Sequence, residues 1–158
     1  MMTRRIGLAG IVFMGLLAAQ KYSGPTPPKP DVPYLVHADN LVETETAEAK
    51  EEKRKDDLAY IVAGASSSAK TPLTGPRFLF QADKLSAEKL QLYRFEVKNG
   101  HREVFFAHNK KGSAKPRRLE VTRVKDDLYR IEVNESLENG EYGLSPDGSN
   151  QVFCFQVY

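Results

Sequence analysis

The residue groupings in this chain that could do chemistry are few, and spacing limits each of them. Ser67 and Lys70 fit a Ser-x-x-Lys pattern, in which a helix sets the lysine amine beside the serine hydroxyl as its proton acceptor. Here the pair falls in a Gly/Ala/Ser/Pro loop, and Ser86 with Lys89 repeats the spacing by accident, so no nucleophile is assigned. His37 and Asp39 stand two apart, which on an extended strand points both to one face. Joined by His101 or His108 they would make the site of a small extracytoplasmic hydrolase. Two ligands do not make a zinc site, which takes three or four, and no metal or cofactor is called for. Glu135, Glu138, Glu141 and Asp147 are carboxylates without a spacing that sets two of them at the separation glycoside hydrolysis needs. Cys154 is the only cysteine, so no disulfide forms within the chain. Set in Phe153-Cys154-Phe155, it reads as a buried, inert thiol, since free cysteine is among the most buried residue types.

The strongest binding signal is basic. Lys110, Lys111, Lys115, Arg117 and Arg118 crowd a segment that also holds Gly112, Ser113 and Pro116, the composition of a loop that projects charge into water. Nine bases and two acids lie between residues 98 and 125, against eight acids and four bases between 39 and 57. Nucleic acid is an unsuitable partner for a domain that is neutral overall and exported. An anionic envelope component fits better: lipid headgroups, acidic polysaccharide, or the acidic patch of an envelope protein.

Export is read from the N-terminus. Arg4 and Arg5 precede fourteen uncharged residues, 6–19, rich in Leu, Ile, Val, Phe, Met, Ala and Gly. A membrane-spanning helix needs roughly 20 apolar residues, and Ala18 and Ala19 suit a signal peptidase. Residues 1–19 therefore read as a signal peptide, with an uncleaved N-terminal anchor as the alternative, and the destination as the periplasm or the exterior. Loss of Arg4 and Arg5 leaves 21 bases and 21 acids. Residues 20–33 form a Pro-rich linker, with five prolines among residues 22–33 that favour extended chain.

The elements that must position any site are strands. Period-two alternation marks 78–82 and 91–97, the latter with Gln91, Tyr93, Phe95 and Val97 on one face. Asn99-Gly100 tolerates the positive φ of a tight turn and leads into a partner strand over 102–107. Asp126-Asp127 joins strands around Val121 and Ile131, and residues 146–150 join 141–144 to 151–157. Residues 41–57, rich in Glu, Lys and Ala, have helical propensity but no apolar stripe; they read as a charged strand turning at Lys55-Asp56-Asp57 to pair with 58–62. Residues 86–89 read as one helical turn.

The leader, the Pro-rich segment, Gly64 to Lys70 ahead of Pro76-Arg77-Phe78, Leu137 to Tyr142, and Phe153-Cys154-Phe155 together resemble exported bacterial proteins of uncharacterised function that end in a β-sandwich. The resemblance covers about the last two thirds of the chain and implies place and fold only. Residues 34–158 are thus expected to form an all-β, antiparallel sandwich, immunoglobulin-like or barrel-like, of about 8–10 short strands. Its function is expected to be non-catalytic: a binding or structural module of the cell envelope that uses the basic loop.

Overall fold

The structure is a computed structural model that describes residues 21–158 apart from Lys110. The signal peptide read over residues 1–19 lies outside the described residues, as does Lys110 of the basic loop.

Among the described residues the chain forms thirteen strands and one 3-10 turn. The strands are β1 Pro33–His37, β2 Asn40–Glu43, β3 Glu45–Glu48, β4 Lys50–Arg54, β5 Asp57–Ala63, β6 Lys70–Thr71, β7 Arg77–Gln81, β8 Leu90–Lys98, β9 His101–Phe106, β10 Leu119–Lys125, β11 Leu128–Val133, β12 Gly140–Pro146 and β13 Gln151–Val157. The all-β, antiparallel fold expected from the alternation is therefore what the chain adopts. The strand number exceeds eight to ten because the acidic stretch supplies three short strands, β2, β3 and β4.

The smaller sheet has the order β10-β11-β7-β1-β2 and the larger β3-β13-β12-β8-β9-β5-β4, with β6 added parallel to β13. The acidic stretch connects them. After β2 the chain leaves the smaller sheet at Thr44, a buried residue whose hydroxyl donates to the Pro33 carbonyl at 2.7 Å. It then runs along β13 as β3, bends at Ala49, whose N–H donates to Asn150 O at 2.7 Å, and continues along β5 as β4. Both edges of the larger sheet are thus consecutive pieces of one chain, so the sheet curls on itself as a barrel.

Residues on opposite faces of these strands enter two different interiors. Phe78, Phe80, Leu92, Ile131, Tyr142, Leu144, Phe153 and Phe155 fill the space between the sheets, with Phe155 edge-on to Phe78 at 5.1 Å and stacked on Tyr142 at 5.7 Å. Each fully buried side chain of this size contributes roughly 2–3 kcal/mol by leaving water. Val62, Phe95, Val104, Val152 and Cys154 fill the barrel. A strand buried on both faces reads as continuous apolar sequence, which accounts for Val152-Phe153-Cys154-Phe155.

The three expected hairpins are present, two as drawn. The β8–β9 hairpin turns through Asn99 (φ 51°) and Gly100 (φ 76°), but its ladder covers only Glu96–Lys98 against His101–Glu103. Beyond that point β8 pairs with β12 and β9 with β5, and the strands part. The segment after β9 wedges the gap, Ala114 N–H donating to Phe105 O at 2.8 Å and Arg117 N–H to Leu92 O at 2.7 Å.

On the outer face of β9, Glu103 is buried beneath cations. Arg54 donates to both its oxygens at 3.2 and 3.0 Å, His101 Nε2 lies at 3.2 Å and Lys98 Nζ at 3.4 Å. The Arg54 hydrogen bonds outweigh burial and hold the carboxyl down at about 2, against an ordinary 4.5. A carboxyl with a depressed pKa adds stability that is present above pH 4.5 and is lost as pH falls towards 2. Glu103→Gln is expected to lower unfolding stability by about 1–3 kcal/mol at pH 7, with the difference from the parent chain shrinking below pH 4.5 in urea titrations. A pH-independent difference would contradict this origin.

Candidate functional site

One end of the barrel interior is plugged by polar groups. Arg102 on β9 has no solvent exposure. Its guanidinium donates to Glu45 at 2.7 and 3.2 Å, to Ser67 Oγ at 2.8 Å, and to the carbonyls of Gly64 at 2.9 Å and Ala63 at 2.7 Å. Burial disfavours the cation, but Glu45, Cys154 and Glu141 outweigh it, so its pKa stands above the ordinary value. The Ser67 N–H in turn donates to Glu141 Oε1. Glu141 is buried, and its Oε2 has no hydrogen-bond partner among the described residues. Cys154 sits in the same interior, where burial pushes its thiol up to about 12 although Arg102 acts to lower it.

The opposite end is open. A cavity of about 400 Å³ is floored by Phe95, Val104, Gly143 and Val152 and walled by Tyr60, Tyr93 and Phe106, with Glu51 and Asp147 also facing it. Strand register gathers these residues. Tyr60 lies opposite both Val104 and Glu51, and Tyr93 lies opposite Gly143. Phe106 stands nearly perpendicular to both tyrosine rings, with centroids 5.7 Å from Tyr60 and 5.4 Å from Tyr93, the edge-to-face geometry that aromatic quadrupoles favour. The Tyr93 hydroxyl donates to Gln91 Oε1 at 3.0 Å. Gly143 keeps the floor low: a Cβ there would meet Val152 Cγ2 at 2.6 Å and the Phe95 ring at 2.7 Å. Burial raises the Tyr60 and Tyr93 hydroxyl pKa values, and the carboxylates of Glu51 and Asp147 respectively push the same way.

Comparison with protein-family models, with curated proteins and with solved structures finds no match to this chain. Its functional reading rests on its own geometry.

Within that geometry the residues singled out by sequence fall in separate places. Lys111 and Lys115 are exposed, and Lys115 and Arg117 line a broad groove with Arg94 and Lys98. Arg117 and Arg118 share Glu135, at 3.1 and 3.8 Å, so the loop's field is weaker than its count of bases suggests. His37 Nε2 is 2.9 Å from Thr71 Oγ1, Asp39 is exposed in the turn after β1, His101 faces Glu103, and the His108 N–H donates to Asp57 at 2.8 Å. Among the described residues no three His, Cys, Asp or Glu side chains are grouped to hold a metal ion. Ser67 is fixed by Arg102 and Glu141, while Lys70 is exposed on β6. Glu138 pairs with Arg94 at 2.8 Å and Glu135 with the basic loop, whereas Glu141 is interior. The aromatic mouth went unassigned at the level of sequence, although Gln91, Tyr93 and Phe95 already shared a face there.

The interior position of Cys154 sets a test. Its thiol is expected to stay unmodified by an alkylating reagent at pH 8 in the folded protein and to react at the rate of a free cysteine once urea unfolds the chain, as followed by mass spectrometry. Rapid labelling of the native protein would show an interior open to solvent at that end.

Proposed function

We propose that this chain is a non-catalytic binding module acting outside the cytoplasm, and that it takes up a small organic ligand in the mouth of its barrel. The aromatic wall carries the reading. A barrel of about eight strands is just wide enough to be filled by its own side chains or to hold one small ligand, and here three aromatic rings border about 400 Å³ of open space above an apolar floor. Concave, mostly apolar sites with a few polar groups are the usual form of small-ligand pockets. Support for action outside the cytoplasm comes from the sequence of residues 1–19, with its basic start and short apolar run.

The groove beside the basic loop supports a second, shallower contact. Arg94, Lys98, Lys115 and Arg117 line it together with Glu96, Glu103 and Glu141, and neither Lys115 nor the neighbouring exposed Lys111 enters an ion pair among the described residues. These two cations support an anionic envelope component such as acidic polysaccharide, lipid headgroups or an acidic protein surface. Such a contact would hold the module at the envelope and leave the mouth free.

Titration of the mature chain with 4-methylcyclohexanol, a neutral apolar probe, is expected to shift the NMR signals of Tyr60, Tyr93 and Phe106 with saturation, and Tyr93→Ala to weaken the probe about tenfold. Shifts spread evenly over the surface would remove the mouth as the site. For the leader, expression of the full chain in an exporting bacterial host is expected to yield a product whose intact mass begins near Gln20; a product retaining Met1 at the cell surface would indicate the anchored alternative.

A further inference from the structure

The charges around the mouth are one-sided. Glu51 and Asp147 line it, and among the described residues no lysine, arginine or histidine does. Several carboxylates elsewhere are matched, Glu43 by Lys29, Glu52 and Glu103 by Arg54, Glu135 by Arg117 and Arg118, Glu138 by Arg94. Glu51 and Asp147 enter no ion pair among the described residues. Two unmatched carboxylates thus border a cavity whose walls are aromatic faces and edges.

That pairing selects among ligands. An anion would meet two like charges and no donor cation. A bare metal ion would find only two carboxylates, fewer than the hard divalent cations use, and would gain little from rings. An organic cation gains from both features, because an ammonium over the face of Tyr or Phe is attracted by the ring quadrupole, and alkylation makes it weakly hydrated and easier to strip of water. The elevated hydroxyl pKa values of Tyr60 and Tyr93, to which Glu51 and Asp147 contribute after burial, agree with a negative field in the cavity.

We propose that the mouth of the barrel binds a substituted ammonium group, boxed by Tyr60, Tyr93 and Phe106 and faced by the carboxylates of Glu51 and Asp147. The proposal rests on the mouth being the ligand site and adds the chemical class. The same head could come from a free small amine or from a lipid headgroup that carries trimethylammonium.

The decisive comparison uses choline and its neutral isostere 3,3-dimethylbutan-1-ol, titrated separately into the mature chain and read by NMR at Tyr60, Tyr93 and Phe106. Choline is expected to bind at least tenfold more tightly. Glu51 and Asp147 are both exposed, so the shape-conserving double variant Glu51→Gln, Asp147→Asn keeps the fold; it is expected to lose at least tenfold for choline and nothing for the isostere. Equal binding of the two probes, or choline binding unchanged in the variant, overturns the cation and leaves the mouth standing as an apolar site. Absence of binding by either probe overturns both readings. Co-sedimentation with phosphatidylcholine vesicles that the double variant loses would assign the head to a lipid; choline binding without such co-sedimentation would assign it to a free amine.

Discussion

A guanidinium sealed inside a barrel must find acceptors for all its donors, and Arg102 finds them on Glu45, Ser67, Ala63 and Gly64. Taking a cation out of water costs several kcal/mol, and only good geometry recovers it. The arrangement makes that one side chain a clamp. It ties β9 to β3 across the interior and pins the irregular chain after β5, which also hands Ser67 to Glu141 on β12. Were Arg102 absent, Glu45 and Glu141 would lose the cation they share in the interior. The interior is therefore a cup with a floor, not a tube, and everything said of the mouth follows from the floor being shut.

The clamp is matched by a covalent economy at the rim. Curling a sheet leaves two edges to be reconciled, and exposed edges invite pairing with other chains. Here one acidic stretch serves both edges, bending at Ala49 so that its first half completes β13 and its second half completes β5. Because this stretch is charged on its outer face, it borders the barrel without presenting an apolar edge. The same course carries Glu45 to the plug and Glu51 to the mouth, one at each end of the interior, six residues apart on alternating strand geometry.

Much of this was legible in the residues and some was not. Asn99-Gly100, Asp126-Asp127 and the Pro146–Asn150 turn announced their hairpins through local backbone preference, which depends on neighbours in sequence alone. The lack of an apolar stripe in residues 41–57 correctly outweighed their helical propensity. A barrel-like form was among the expectations, but which strands close the curl was beyond reach, since that depends on which partners β3 and β4 find far along the chain. The site suffered for the same reason. Tyr60, Tyr93 and Phe106 come from three different strands, and each alone is an ordinary strand aromatic. The bases of the loop were easy to count, but Glu135, which draws Arg117 and Arg118 to itself, belongs to a different segment. Charge counts read along the chain register composition, whereas a binding surface depends on what remains unmatched after folding.

The parting of β8 from β9 has a geometric meaning of its own. In a barrel closed wholly by ladders the girth changes only by whole strands, because diameter is tied to strand number and shear. A wall completed by a loop, touching Phe105 on one side and Leu92 on the other, escapes that rule. Lengthening or trimming the chain between residues 107 and 118 would widen or narrow the circumference in small steps while every hydrogen-bonded ladder stays in place. The loop is a gusset, and it would let descendants of this sequence resize the vessel without rebuilding it.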